Sequence, residues 1–125
     1  MKLRHLDDWT RRRQAIAAAY TQELAESGLI LPHVPDWAEP AWHLYVVRAQ
    51  ERDALQSRLK AKGVGTLIHY PIPPHMQQAY ADLGLAAGAL PLARQLADEV
   101  LSLPMSPQLT SSEAEQVIAV IRAAA

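Results

Sequence analysis

Apolar positions recur at intervals of three, four and seven residues through the first part of the chain: Leu6, Trp9, Ile16, Tyr20 and Leu24 form one stripe on a helix expected from Leu3 to Ser27. Arg11, Arg12 and Arg13 interrupt this stripe as a basic cluster. Successive helical residues point about 100° apart and Arg13 falls on the stripe itself, so a solvated face with salt bridges is expected rather than a phosphate site. Gly28 is the expected stop, and Leu29 to Leu31 a short extended segment. Between Pro32 and Pro40, three prolines with His33 and Trp37 predict an ordered but irregular connection.

From Trp42 to Arg48 the pattern alternates, with Leu44 and Val46 on one side and His43, Tyr45 and Val47 on the other, which predicts a strand. A helix follows from Asp53 to Lys62, with Leu55, Leu59 and Lys62 on one face and Gly63 as its stop. Val64 to Tyr70 alternates again: Thr66, Ile68 and Tyr70 oppose Gly65, Leu67 and His69. Pro71 has no N–H for a ladder, and Pro73-Pro74 bias their predecessors toward extended geometry, so a stiff turn is expected there. Pro91 suits the first turn of a helix carrying Leu92, Leu96 and Val100; Leu101 to Leu103 is a short strand closed by Pro104. Thr110-Ser111-Ser112-Glu113 has the form of a capping box, ahead of Ala114, Val117, Ile118 and Ile121 on one face. Together these elements predict an α+β layer: a small sheet from segments near 43–48, 64–70 and 100–104, covered by helices.

A chain of 125 residues fits a single domain spanning 1–125, able to bury roughly 65–70% of its unfolded surface. Phenylalanine is absent, so the core rests on Leu, Val, Ile and the three tryptophans. A formal charge of −1 offers no field for nucleic acid or an anionic membrane. The lack of cysteine excludes disulfides and thiolate chemistry. No apolar run approaches the roughly 18–20 residues of a membrane span, and the N-terminus lacks a signal-peptide core, so a cytoplasmic protein is the default expectation.

The chemistry-bearing residues concentrate in Gly63 to Gly84, GVGTLIHYPIPPHMQQAYADLG, where two histidines and two tyrosines sit on a stiffened turn. The spacing of His69 and His75, across three prolines, matches no compact metal motif, and no cysteine or close carboxylate completes a ligand set. A histidine-carboxylate dyad also lacks a partner, since Asp82 is expected across the loop.

The run GVGTLIHYPIPPHMQQAY, with His43-Leu44-Tyr45-Val46-Val47 before it and Leu90-Pro91 to Leu101-Ser102-Leu103-Pro104 after it, resembles the C-terminal part of the DegT/DnrJ/StrS-type sugar aminotransferases. The opening LRHLDDWTRRRQAIAAAY resembles the long helix that follows the family's large domain, and LADEVLSLPMSPQLTSSEAEQVIAVI its closing strand and helix. The resemblance implies a small, mainly antiparallel sheet and enzymes that use pyridoxal phosphate to aminate keto-sugars attached to nucleotides, dimeric when intact. It implies further that the cofactor lysine, the partner of the pyridine nitrogen and most of the phosphate site lie in a large domain missing here. The lysines present, Lys2, Lys60 and Lys62, have no counterpart as the cofactor lysine, so no cofactor is expected on this chain alone. Met1 would then open a truncated reading frame or a stand-alone relic.

By the same resemblance His69 and Tyr70 face the cleft between domains and are candidates to bind substrate, with His75 a further candidate. Each has a plainer reading. His69 can be a strand-end histidine donating to a backbone carbonyl, Tyr70 can pack its ring and expose its hydroxyl, and His75 can be an exposed loop residue. His43 and Tyr45 are expected to shape the sheet. The alternative function is a non-catalytic interaction module that binds a partner, or itself, through the first helix and the Trp37/Trp42 region.

Overall fold

In a computed structural model that describes residues 2–124, the N-terminal stripe folds as helix α1 (Leu6–Glu23), entered through a 3₁₀ turn at Lys2–His5. It ends earlier than Gly28, because Ser27 folds back onto the Leu24 carbonyl through both its amide (3.0 Å) and its hydroxyl (2.7 Å). Gly28 follows with φ of 79°. Arg11 and Arg12 both pair with Asp8 on the solvent side, as a solvated cluster should. Arg13 instead donates to the Ala41 carbonyl at 2.9 Å and ties the proline-rich connection to the helix.

Strand β1 (Tyr45–Arg48), helix α2 (Arg52–Ala61), helix α3 (Pro91–Glu99), strand β2 (Val100–Leu103) and helix α4 (Ser111–Ala124) complete the regular elements among the described residues. β1 and β2 pair antiparallel, Tyr45 opposite Leu103 and Arg48 opposite Val100. Tyr45, Val47, Leu101 and Leu103 face one way, and α1, α2 and α4 cover them with Ile16, Tyr20, Leu24, Leu55, Leu59, Val117, Ile118 and Ile121, all buried. This is a two-layer α+β arrangement. Of the first-helix stripe, Ile16, Tyr20 and Leu24 belong to this core, whereas Leu6 remains exposed and Trp9 half-buried. Tyr45 shapes the sheet as expected, its ring in edge contact with Tyr20 and its hydroxyl 2.8 Å from Thr21 Oγ1, whereas His43 is exposed just outside the strand.

Only two of the three expected strands form ladders. Leu67 makes a single bridge to Ser102, its N–H to the Ser102 carbonyl at 3.2 Å and the reverse bond at 2.8 Å. The next hydrogen-bonded pair in this register would join Gly65 to residue 104, and Pro104 has no N–H to give. On the other side the chain leaves the sheet at the proline turn. Ile30 makes a matching single bridge to Arg48, so the order across the sheet is Ile30, β1, β2, Leu67.

Helix ends follow their local signals. Gly63, at φ of 80°, closes α2 with the paired bonds Val64 N to Leu59 O (2.9 Å) and Gly63 N to Lys60 O (3.0 Å), while Val64 and Leu59 are both buried. At α4, Thr110 N donates to Glu113 Oε2 at 2.8 Å and Glu113 N to Thr110 Oγ1 at 3.2 Å, the reciprocal bonds of a capping box. The Thr110 amide, followed by its hydroxyl, holds the Glu113 carboxyl below the usual range. Arg52, buried on α2, donates through Nη1 to the carbonyls of Ala97 (3.1 Å) and Val100 (3.0 Å), satisfying the C-terminal end of α3.

Candidate functional site

The Leu67 bridge fixes where the chain leaves the sheet, and His69 and Tyr70 come immediately after it, joined by a cis peptide bond. His69 is half-buried; its Nδ1 lies 2.8 Å from Ser102 Oγ. The partner is therefore a buried serine hydroxyl on β2, not a backbone carbonyl. Tyr70 does not pack its ring into the body of the protein: it is 73% exposed, touching His69 edge to face with centroids 5.7 Å apart. Two aromatic side chains, one anchored and one free, thus stand at one edge of the sheet.

His75 departs from the expectation of an exposed loop residue. It lies in a 3₁₀ turn (Pro74–Met76), is 7% exposed, and donates from Nε2 to the Ala87 carbonyl at 3.3 Å. Nδ1 is buried without a partner. The cause is the chain itself, which passes through a second 3₁₀ segment (Gln78–Leu83) and brings the Ala87 carbonyl back to the imidazole. The structure does not bring His75 together with His69 and Tyr70 as a surface group; it places His75 beneath the excursion that follows them.

Every residue from 76 to 92 is exposed. Among the described residues, nine of the thirteen large exposed hydrophobics fall between Leu67 and Leu92, including Tyr70, Ile72, Tyr80 and Leu83. The segment that carries the two aromatic side chains and the excursion after them thus presents its large apolar residues to solvent. Grooves between α1 and α4, lined by Arg12, Ile16 and Leu109, and between α2 and α4, lined by Arg58, Lys62 and Val120, lie elsewhere.

Groups that would hold a metal or an aldehyde cofactor are not gathered at this surface. Among the described residues no three His, Cys, Asp or Glu side chains converge. Lys2 is in the N-terminal turn, and Lys60 and Lys62 are at the end of α2; all three are exposed. What the surface offers is hydrogen bonding and apolar contact: the free Nε2 edge of His69, the Tyr70 hydroxyl, and the surrounding aliphatic side chains. Ser102 was not singled out from sequence. Its signal was the strand alternation, since a lone hydroxyl between Leu101 and Leu103 must project from the face opposite the core.

The sequence pattern of the DegT/DnrJ/EryC1/StrS aminotransferase family matches residues 1–122. The chain is 52% identical over its whole length to the erythromycin biosynthesis sensory transduction protein EryC1 of Saccharopolyspora erythraea, covering 34% of that protein. It is 45% identical to the dTDP-3-amino-3,4,6-trideoxy-alpha-D-glucose transaminase of Streptomyces venezuelae, over 98% of this chain and 32% of that one. The crystal structure of S. venezuelae DesV in complex with a ketimine intermediate superposes with a TM-score of 0.93 at 45% identity, covering 97% of this chain and 33% of DesV. The chain thus spans about a third of the length of the curated relatives it matches. Near-complete coverage of this chain, at such identity and with the same fold, has one meaning: it belongs to the DegT/DnrJ/EryC1/StrS aminotransferase family.

Proposed function

We propose that residues 1–125 act as a single domain, the C-terminal part of an aminotransferase for nucleotide-linked keto-sugars, and that the 67–92 surface is its substrate-side wall. The family's enzymes depend on pyridoxal phosphate, which when bound supplies the amino-group chemistry. The residues here do not fit that cofactor: all three lysines are exposed, Lys2 in the N-terminal turn and Lys60 and Lys62 at the end of α2. The chain by itself is accordingly inactive, and a large domain provides the cofactor site. Its own contribution is contact. His69 and Tyr70 hydrogen-bond the sugar, the aliphatic side chains around them exclude water, and buried His75 supports the excursion instead of touching substrate. In this reading the intact enzyme is cytoplasmic, and it is a homodimer as the family resemblance implies.

The observation that carries the proposal is the uncovered apolar surface around His69 and Tyr70. A surface of that kind on an otherwise well-packed domain marks a place where other protein or a ligand belongs. The test is a chimera in which this chain replaces the matching third of the S. venezuelae transaminase. Amination of a dTDP-linked keto-sugar is expected to survive, and His69→Ala to slow it without loss of cofactor loading. A folded, cofactor-loaded chimera without turnover would count against the proposal.

A further inference from the structure

Ser102 sits where β2 passes beneath the His69 turn. It is 4% exposed, and its backbone N–H and C=O are both taken by Leu67. Bridged residues point their side chains to one face, so Ser102 and Leu67 share the face opposite Leu101 and Leu103. His69, two residues beyond Leu67, is the diagonal neighbour on that same face and within reach of a ring nitrogen. Its Nδ1 stands 2.8 Å from the serine oxygen.

A hydroxyl and an imidazole can share one hydrogen in two ways, and burial decides between them. The hydrogen of a buried hydroxyl needs an acceptor, and His69 Nδ1 is the one partner of Ser102 Oγ in the hydrogen bonds of the described residues. The hydroxyl therefore donates to Nδ1, and the neutral ring keeps its own hydrogen on Nε2. That atom is not sealed in the interior: among the described residues the only buried, unpartnered side-chain nitrogen or oxygen is His75 Nδ1. We propose that Ser102 is a positioning residue that fixes both ring angle and tautomer of His69, presenting Nε2–H as a donor to an oxygen of the sugar substrate. The substrate half of this proposal rests on the function proposed above; the tautomer half does not.

The tautomer is read by ¹⁵N NMR of the imidazole nitrogens in the full chain. Wild type is expected to show a bare, pyridine-like Nδ1 and a protonated Nε2. In Ser102→Ala the Nδ1 signal should move toward that of an exchanging histidine, and Ser102→Thr, which keeps the hydroxyl, should restore it. Should Ser102→Ala fail to fold, the near-isosteric Ser102→Cys, with its weak S–H donor, reports the same shift. A proton found on Nδ1 in wild type, or a His69 signal unmoved in a folded variant, overturns the proposal. In the chimera, Ser102→Ala should lower turnover about tenfold, as loss of one aligned hydrogen bond does, and add nothing to His69→Ala. Turnover indifferent to His69→Ala overturns the substrate-facing reading of the turn. Turnover slowed by His69→Ala but untouched by Ser102→Ala overturns the role given to Ser102.

Discussion

Single buried polar groups carry much of the fold's specificity. Arg52 joins α2 to the last turn of α3 through two carbonyls, and Asp53 Oδ1 accepts from its Nε at 2.6 Å. Truncation leaves those carbonyls buried and unpaired, so Arg52→Ala is expected to cost about 3 kcal/mol in urea unfolding. Tyr20 donates to the Pro104 carbonyl at 2.9 Å, and burial, reinforced by neighbouring Tyr45, raises its hydroxyl well above the ordinary phenol range. Burial likewise raises Tyr45, partly offset by the Thr21 hydrogen bond. The folded state therefore prefers neutral phenols. Their stabilisation is complete below the unfolded value near 10 and is lost as pH rises beyond it. Tyr20→Phe should start about 1 kcal/mol less stable at neutral pH and then lose less between about pH 9 and pH 11, as melting temperatures against pH would record.

At the scale of elements, the glycines separate backbone need from mere space. Neither Gly63 nor Gly65 has an atom within 4 Å of an added Cβ, yet only Gly63 sits at positive φ. Gly63→Ala is expected to destabilise by about 1 kcal/mol, because the α2 stop requires a left-handed residue. Gly65→Ala should stay within about 0.5 kcal/mol of wild type in the same denaturation experiment. The helices were legible in the sequence for the same reason that these substitutions differ: Gly63, Pro91 and the Thr110–Glu113 box each carry their own instruction. The third strand was not. Alternation from Val64 to Tyr70 satisfies the strand period, but whether a ladder extends is decided by Pro104, far along the chain. Glu99 shows the same dependence on distant residues. Gln95 and then Arg48 hold its carboxyl below the usual range, and the Arg48 contact at 2.6 Å exists only once β1 and β2 have met.

For the whole molecule, the exposed 67–92 surface sets behaviour in solution. The isolated chain is expected to sediment heavier with rising concentration and to bind an apolar dye, whereas Leu67, Ile72 and Tyr80 changed together to Ser should abolish both with circular dichroism unchanged. A wild-type chain monomeric at every concentration and silent to the dye would contradict this. The candidate site was half legible. Prolines and alternation alone placed His69 and Tyr70 where the chain leaves the sheet, though the strand expected to lead there is reduced to the Leu67 bridge. The burial of His75 could not, because its cover is the Ala87 carbonyl, a backbone atom that no side-chain pattern announces.

The β1–β2 ribbon also bears on how the chain acquires its shape. Arg48 and Glu99, which meet at its end, stand 51 positions apart, so the only ladder in the described residues joins distant parts of the sequence. Closing so long a loop is an entropic toll levied before any strand bond can repay it. Helices α1 and α2 can form as they are made, but on a ribosome β1 stays without its partner until Val100–Leu103 has emerged. The His69 turn, anchored to Ser102 on that late strand, cannot be fixed before β2 has reached it.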